Sequence, residues 1–220
     1  MRTPNPTPRF VSLQQGLEAA GFVILDALST GDQTDIAIGS AGQPFWNAVH
    51  RSPEWIEQHD DPIDRYTARQ INRLLDADKG EAAIYPFDPD APNFVQLWSA
   101  TFPKIAASRL GPMIHPDFGL WMAARAHVVL PDAHFEFDTA KTFSPCESCQ
   151  DKPCLSACPV NAFSASKPYN HLACAAYLKT DPACFSGGCD ARAACPFGQS
   201  WQLPEDQARY HQTRFRTTFA

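Results

Sequence analysis

Apolar residues at positions 10, 13, 17 and 20 (Phe10, Leu13, Leu17, Ala20) fall at helical spacing, and Gly21 interrupts them, which predicts a helix over 10–20. Phe22-Val23-Ile24-Leu25 reads as a buried strand and Asp35-Ile36-Ala37-Ile38-Gly39 as a second. Asp61-Pro62-Ile63-Asp64 has the form of a helix start, with Asp61 as N-cap and Pro62 in the first turn. That helix is expected to reach about Ala77, with Ile71, Leu74 and Leu75 facing inward. Ala82–Tyr85 suggests a strand, Phe94–Leu110 a helix kinked or started late at Pro103, and Gly119–Leu130 a strand ended by Pro131. Helices alternate with strands, so a layered α/β or α+β domain is expected over residues 10–141.

From Ser144 the periodicity fades and Cys, Pro, Gly and Ala dominate. All eight cysteines lie between Cys146 and Cys195. This step in composition predicts a second domain over 142–200, with the boundary near Thr142–Pro145 and a polar tail over 201–220, helical over Gln207–Phe219. The overall class is therefore α+β in two domains. A net charge of −6 argues against a nucleic-acid surface. No apolar run has the length of a membrane span. Met1–Pro8 holds no secretory-type apolar stretch, so a cytoplasmic location with reduced thiols is expected.

The cysteines form two groups, Cys146-x2-Cys149-x4-Cys154-x3-Cys158-Pro159 and Cys174-x9-Cys184-x4-Cys189-x5-Cys195-Pro196. Each ends in Cys-Pro. Three chemistries use such residues. Zinc sites favour two close pairs per ion, and only Cys146 and Cys149 form a C-x2-C pair. Disulfides need an oxidising compartment. Iron-sulfur clusters need runs of thiolates in a loop, which both groups supply. No C-x3-C-x2-C triplet of radical S-adenosylmethionine chemistry occurs, nor a Ser/His/Asp arrangement, a P-loop or a dinucleotide fingerprint.

The doubled pattern resembles the bacterial dicluster ferredoxins, with their C-x2-C-x2-C-x3-C-P motif. In that family the cysteine before proline serves the other cluster. The resemblance thus implies two 4Fe-4S clusters, one on Cys146, Cys149, Cys154 and Cys195, the other on Cys158, Cys174, Cys184 and Cys189. It departs from the motif by two extra residues within Gln150–Pro153 and by wider spacing throughout the second group. Gly187 and Gly188 are candidates for aiming amides at sulfur. Leu155, Val160, Phe163, Phe185 and Phe197 are candidates for burying the clusters.

A second segment, Met113-Ile114-His115-Pro116-Asp117-Phe118-Gly119-Leu120-Trp121-Met122-Ala123-Ala124-Arg125 through Leu130-Pro131, resembles the cobalamin-processing family defective in methylmalonic aciduria type C. Asp61-Pro62-Ile63-Asp64 is similar to that family's D-P-V-D. The resemblance implies a nitroreductase-like α/β domain that binds a corrinoid such as cobalamin. His115, Gly119, Trp121 and Arg125 are its candidate contacts, and Arg125 stands at the position serving a glutathione-like thiol. The plainer alternatives are core packing for Trp121, a turn at Phe118-Gly119, a local hydrogen bond for His115 and a protein carboxylate for Arg125. The layout also resembles epoxyqueuosine reductase, with Gly188-Cys189-Asp190 matching its second motif. That enzyme has a cysteine where Arg192 stands here, and its tRNA-binding helical repeats are not found here.

The sequence thus points to an iron-sulfur redox protein passing electrons to a corrinoid, an oxidoreductase if it is an enzyme. A ferredoxin-like carrier without corrinoid, working between partner proteins, is the alternative, and a tRNA-modifying reductase is a third.

Overall fold

The computed structural model describes residues 7–131, 145–167 and 169–219. In chain order the first elements are α1 (Pro8–Ala19), β1 (Val23–Thr30), β2 (Gln33–Ala41), α2 (Gly42–His50), α3 (Pro53–Ile56), α4 (Pro62–Leu74), β3 (Ala82–Ile84) and α5 (Phe94–Thr101). The short strands β4 (Ala106–Ala107) and β5 (Met113–Ile114) follow, then the long β6 (Met122–Pro131). After it come α6 (Pro145–Ser148), α7 (Pro153–Ser156), α8 (His171–Leu178), α9 (Ala183–Ser186), α10 (Asp190–Ala193) and α11 (Glu205–Phe219). No described helix is long and apolar enough to cross a membrane.

The chain packs as two units. Of the described residues, 7–106 and 122–131 form the first and 107–121 with 145–219 the second. The expected boundary at 141/142 lies outside the described residues. By packing, the segment 107–121 belongs with the cysteines although it precedes β6. The same holds for α11, expected as part of a tail, which packs on α8 and α9.

The first unit is mixed α+β around a four-stranded antiparallel sheet in the order β1-β2-β6-β3. Ile36 and Ile38 of β2 face Val128 and Ala126 of β6, and all four are buried. Phe10, Leu13 and Leu17 of α1 are buried as their spacing predicts. The helix ends in a left-handed Gly21, with the Gly21 amide on the Glu18 carbonyl and the Phe22 amide on the Leu17 carbonyl. A Cβ at Gly21 would stand 2.8 Å from the Phe45 Cα, so glycine is required there.

Several boundaries differ from the sequence reading. Residue 61 does precede α4, but Asp61 is left-handed and its side chain makes no capping hydrogen bond. Leu74 and Leu75 are half-buried, and the inward face of α4 is Ile63, Tyr66, Thr67 and Ile71. The helix predicted over 94–110 stops at Thr101. Pro103 disfavours helical torsions at Phe102, which is extended at φ −107° and ψ 117°. The strand predicted from Gly119 starts at Met122, because residues 115–119 close a tight loop.

Two ion pairs tie segments of this unit together, one of them between helices. Arg69 of α4 grips Glu54 of α3 along one edge of its guanidinium, Nε donating to Oε1 and Nη2 to Oε2, the latter at 2.9 Å. Arg9 clasps Glu81, which also accepts the Asp76 amide at 2.7 Å. The hydrogen bond from Arg69 holds the Glu54 carboxyl down at about 2, below its ordinary 4.5. A carboxylate depressed in the folded state stabilises fully above its unfolded pKa and loses that contribution as pH falls through the folded value. Arg69 is partly in water, which screens the pair. Glu54→Gln should therefore lower stability at pH 7 by about 1–2 kcal/mol. In denaturant titrations the gap to wild type should close as pH drops from 4.5 toward 2.

Candidate functional site

The second unit is built from one-turn helices that start on or just after proline: Pro145 and Pro153 open α6 and α7, and Pro182 precedes α9. Proline suits a first turn because it fixes φ and gives up an amide that has no helical partner there. Each of these helices carries a cysteine in that turn: Cys146, Cys154 and Cys184. Cys149 and Cys195 follow α6 and α10, Cys174 lies in α8, and Cys189 is the N-cap of α10. All eight are free thiols; Cys158, Cys184 and Cys195 are buried and the others partly so.

The sulfurs sort into two sets of four. Cys146, Cys149, Cys154 and Cys195 line one small cavity together with Pro145, Pro153 and Phe197. Burial pushes the Cys154 thiol up, and the sulfurs of Cys195, Cys146 and Cys149 beside it push it further. The second set is Cys158, Cys174, Cys184 and Cys189. Burial drives the Cys184 thiol up to about 11, with Asp190 and then Cys189, Cys174 and Cys158 adding to it. Burial likewise raises Cys189, opposed by the Arg192 and Ala191 amides and reinforced by Cys174 and Cys158. These are the groupings that the ferredoxin resemblance implies, with the two Cys-Pro cysteines exchanged between runs.

Among the described residues no three His, Cys, Asp or Glu side chains are gathered closely enough to hold a single metal ion. Four thiolates around one tetrahedral ion lie within about 4 Å of each other, given a metal–sulfur distance of about 2.3 Å. A cube of four irons holds its thiolates farther apart. The donor set available to a metal group is eight free thiols, four of them around one cavity.

Amides that favour the thiolates come from places other than those expected. The Ala162 amide donates to Cys158 Sγ at 3.3 Å. The Ala191 and Arg192 amides face Cys189, and the Phe197 amide faces Cys195. Gly187 instead spends its amide closing α9, on the Ala183 carbonyl at 2.8 Å. Gly188 is left-handed at φ 92°. Of the expected covering residues, Phe163 and Phe185 are buried, whereas Leu155, Val160 and Phe197 are only partly so. α11 encloses the second set: Gln212 donates to the Cys184 carbonyl at 3.1 Å, and Arg216 lies over the Phe185 ring and pairs with Asp181 at 2.7 Å. Sequence reading passed over these α11 residues, although Arg216 and Gln212 share one helical face.

The residues singled out for a corrinoid are divided between the units. His115, Gly119 and Trp121 belong to the second and Arg125 to the first. His115 is buried, and its Nδ1 accepts the Asp117 amide at 3.1 Å, the local hydrogen bond weighed as its plainer role. Its backbone bonds Gly119 in both directions. Gly119 has φ 56°, and a Cβ there would run into the Phe197 carbonyl and stand 2.9 Å from the Gly198 Cα. Its glycine is required by this backbone crossing. Arg125 falls where the β2–β6 register slips, between the Ile38–Ala126 and Gly39–Ala124 pairs. Its Nε donates to Ser40 Oγ at 2.8 Å and its guanidinium lies over the Phe45 ring. Trp121 is buried and lines a separate cavity in the second unit.

In comparisons with protein-family models and with curated proteins, nothing matches the chain.

Gly119→Ala should destabilise the second unit by more than about 2 kcal/mol, since it combines a disfavoured φ with a backbone clash. Gly187→Ala, in an ordinary helical conformation with its nearest neighbour 3.3 Å away, should cost less than about 1 kcal/mol. Thermal melting of the two variants in parallel checks the contrast.

Proposed function

We propose that this chain is an iron-sulfur electron-transfer protein whose second unit carries two 4Fe-4S clusters. Cys146, Cys149, Cys154 and Cys195 would hold one, and Cys158, Cys174, Cys184 and Cys189 the other. The observation that carries the reading is the sorting of eight free thiols into two sets of four, interleaved through the two Cys-Pro residues. When bound, such clusters store and pass single electrons. The chain's own part is to supply thiolates, to stabilise them with amides at Cys158, Cys189 and Cys195, and to keep water away with Phe163, Phe185 and α11. In this reading the second unit is a ferredoxin-type module enlarged by residues 107–121 and by α11, and the first is a nitroreductase-like domain in reduced form. The acidic balance suits transient docking on a basic redox partner in the cytoplasm.

The test is anaerobic purification with iron and acid-labile sulfide analysis. About eight irons per chain are expected from two four-iron clusters. Zinc without iron would overturn the reading. The interleaving gives a second expectation. Cys146→Ser and Cys195→Ser should each remove one and the same paramagnetic signal, and the double variant should lose little more iron than either single one. Cys146→Ser with Cys158→Ser should lose both signals.

A corrinoid remains the proposed electron acceptor on the strength of the 113–131 resemblance. Anaerobic titration with cob(III)alamin tests that part by itself: a shift to the base-off spectrum supports it, and no shift removes it while leaving the iron-sulfur reading in place.

A further inference from the structure

Among the described residues the second unit leaves three large apolar side chains well exposed: Tyr169 at 36%, Leu172 at 61% and Phe219 at 43%. They are not scattered. Tyr169 and Leu172 flank the start of α8, and Phe219 ends α11, which packs on α8. The rings form a chain, with Tyr169 6.4 Å from Phe215, Phe215 4.9 Å from Phe219, and Phe219 5.1 Å from His171, the residue before Leu172. Apolar side chains grouped at a surface mark contact sites.

Two features identify what covers this one. The first is charge. The chain carries a net charge of −6, yet it has no Asp or Glu between Lys152 and Thr180 or between Gln207 and Phe219, the stretches that build the face. Lys167 and Lys179 are exposed there and have no carboxylate partner among the described residues. Leu172, Ala176 and Lys179 share one exposed side of α8, at positions i, i+4 and i+7. Arg214 is exposed on α11, next to Phe215. Asp181 pairs with Arg216 at 2.7 Å, and Glu205 and Asp206 open α11 at the end away from Phe219. The second feature is what lies beneath. Burial raises the Cys174 thiol, and a hydrogen bond from the Tyr169 hydroxyl opposes the rise. Tyr169 also stacks on the buried Phe163, ring centres 4.6 Å apart. A protein resting on this face thus stands one side chain from a sulfur of the second set.

We propose that the α8–α11 face is the docking surface for a small acidic one-electron carrier protein, with Tyr169, Leu172 and Phe219 as its apolar centre and Lys167, Lys179 and Arg214 as its basic rim. The redox character of the partner rests on the iron-sulfur reading; the face and its charge preference do not. An electron carrier meets a donor and an acceptor, and the overall acidity of the chain leaves a basic partner to another surface. Interfaces of this anatomy take affinity from a few central anchors and association rate from rim charges.

The test is surface plasmon resonance of the full chain, purified anaerobically and with its iron content measured, against a plant-type 2Fe-2S ferredoxin, a small acidic carrier. At low ionic strength the two should bind although both are net negative, and added salt should weaken the complex. Lys167→Glu with Lys179→Glu should weaken binding about tenfold or more, and Leu172→Ser about fivefold or more. Two controls lie on the first unit. Arg73→Glu with Lys79→Glu makes the same change of net charge at exposed positions, and Ile56→Ser removes an apolar side chain that is 66% exposed. Neither should change binding by more than about twofold. Binding by iron-free protein supports the face and counts against the iron-sulfur reading. Iron-loaded protein that fails to bind overturns the face and leaves that reading in place. Absence of binding at low ionic strength overturns the face at any iron content, as does binding that the face variants leave intact or that the controls weaken equally.

Discussion

Two stretches of backbone cross at Gly119 and Gly198 with no space for a side chain between them. Both residues are left-handed, and neither could carry a Cβ without striking the other stretch. Much of the second unit depends on this crossing. It draws the loop 115–119 onto the chain just past Cys195, and Phe118 meets the Trp201 ring there at 4.8 Å. Two residues beyond Gly119, Trp121 is brought under Arg192, whose donors hold the Leu120 carbonyl. A segment that precedes β6 in sequence is thereby made part of the cysteine unit.

Buried side chains of the unit include Ile114, Leu120, Trp121, Phe163 and Leu178. Leu178, Cys184 and Phe185 form one small buried cluster, with Tyr177, Cys174 and Phe215 against it. Its helices are mostly single turns, too short to be stable alone. What orders them is proline at the starts, side-chain bonds such as Gln199 to the Cys195 carbonyl, and the long α11 laid over α8 and α9. A bound group held by four thiolates at each set would add covalent-strength ties to this packing.

The legible parts of the chain were those with strong local periodicity or an unusual residue type. Phe10, Leu13 and Leu17 announced α1 by helical spacing, and the short run 35–39 announced part of β2, whose residues Ile36–Gly39 are all buried. The cysteines were legible one by one, and their grouping followed from the ferredoxin resemblance. Helix α2 was not among the predicted elements although Phe45, Trp46 and Val49 are at helical spacing. The role of Gly119 was hidden for a different reason: its constraint comes from Gly198, far along the chain, and no local pattern records a distant contact. Arg125 could be recognised as a charge needing a partner, but the Ser40 hydroxyl and Phe45 ring that receive it depend on a register slip in the sheet. Arg192 was noted only as a substitution for cysteine, and its place at a cavity wall was visible only in three dimensions.

The exchange of Cys158 and Cys195 between the two runs has a consequence for synthesis. As the chain leaves the ribosome, Cys146, Cys149 and Cys154 emerge early but their fourth partner is nearly the last thiol to appear. The second set, by contrast, must wait for Cys189 while Cys158 has long been exposed. Were each set to hold one bound group, neither could be completed before the other was almost present, and the module would mature as a whole rather than by halves. Sequence-distant closure of this kind slows folding.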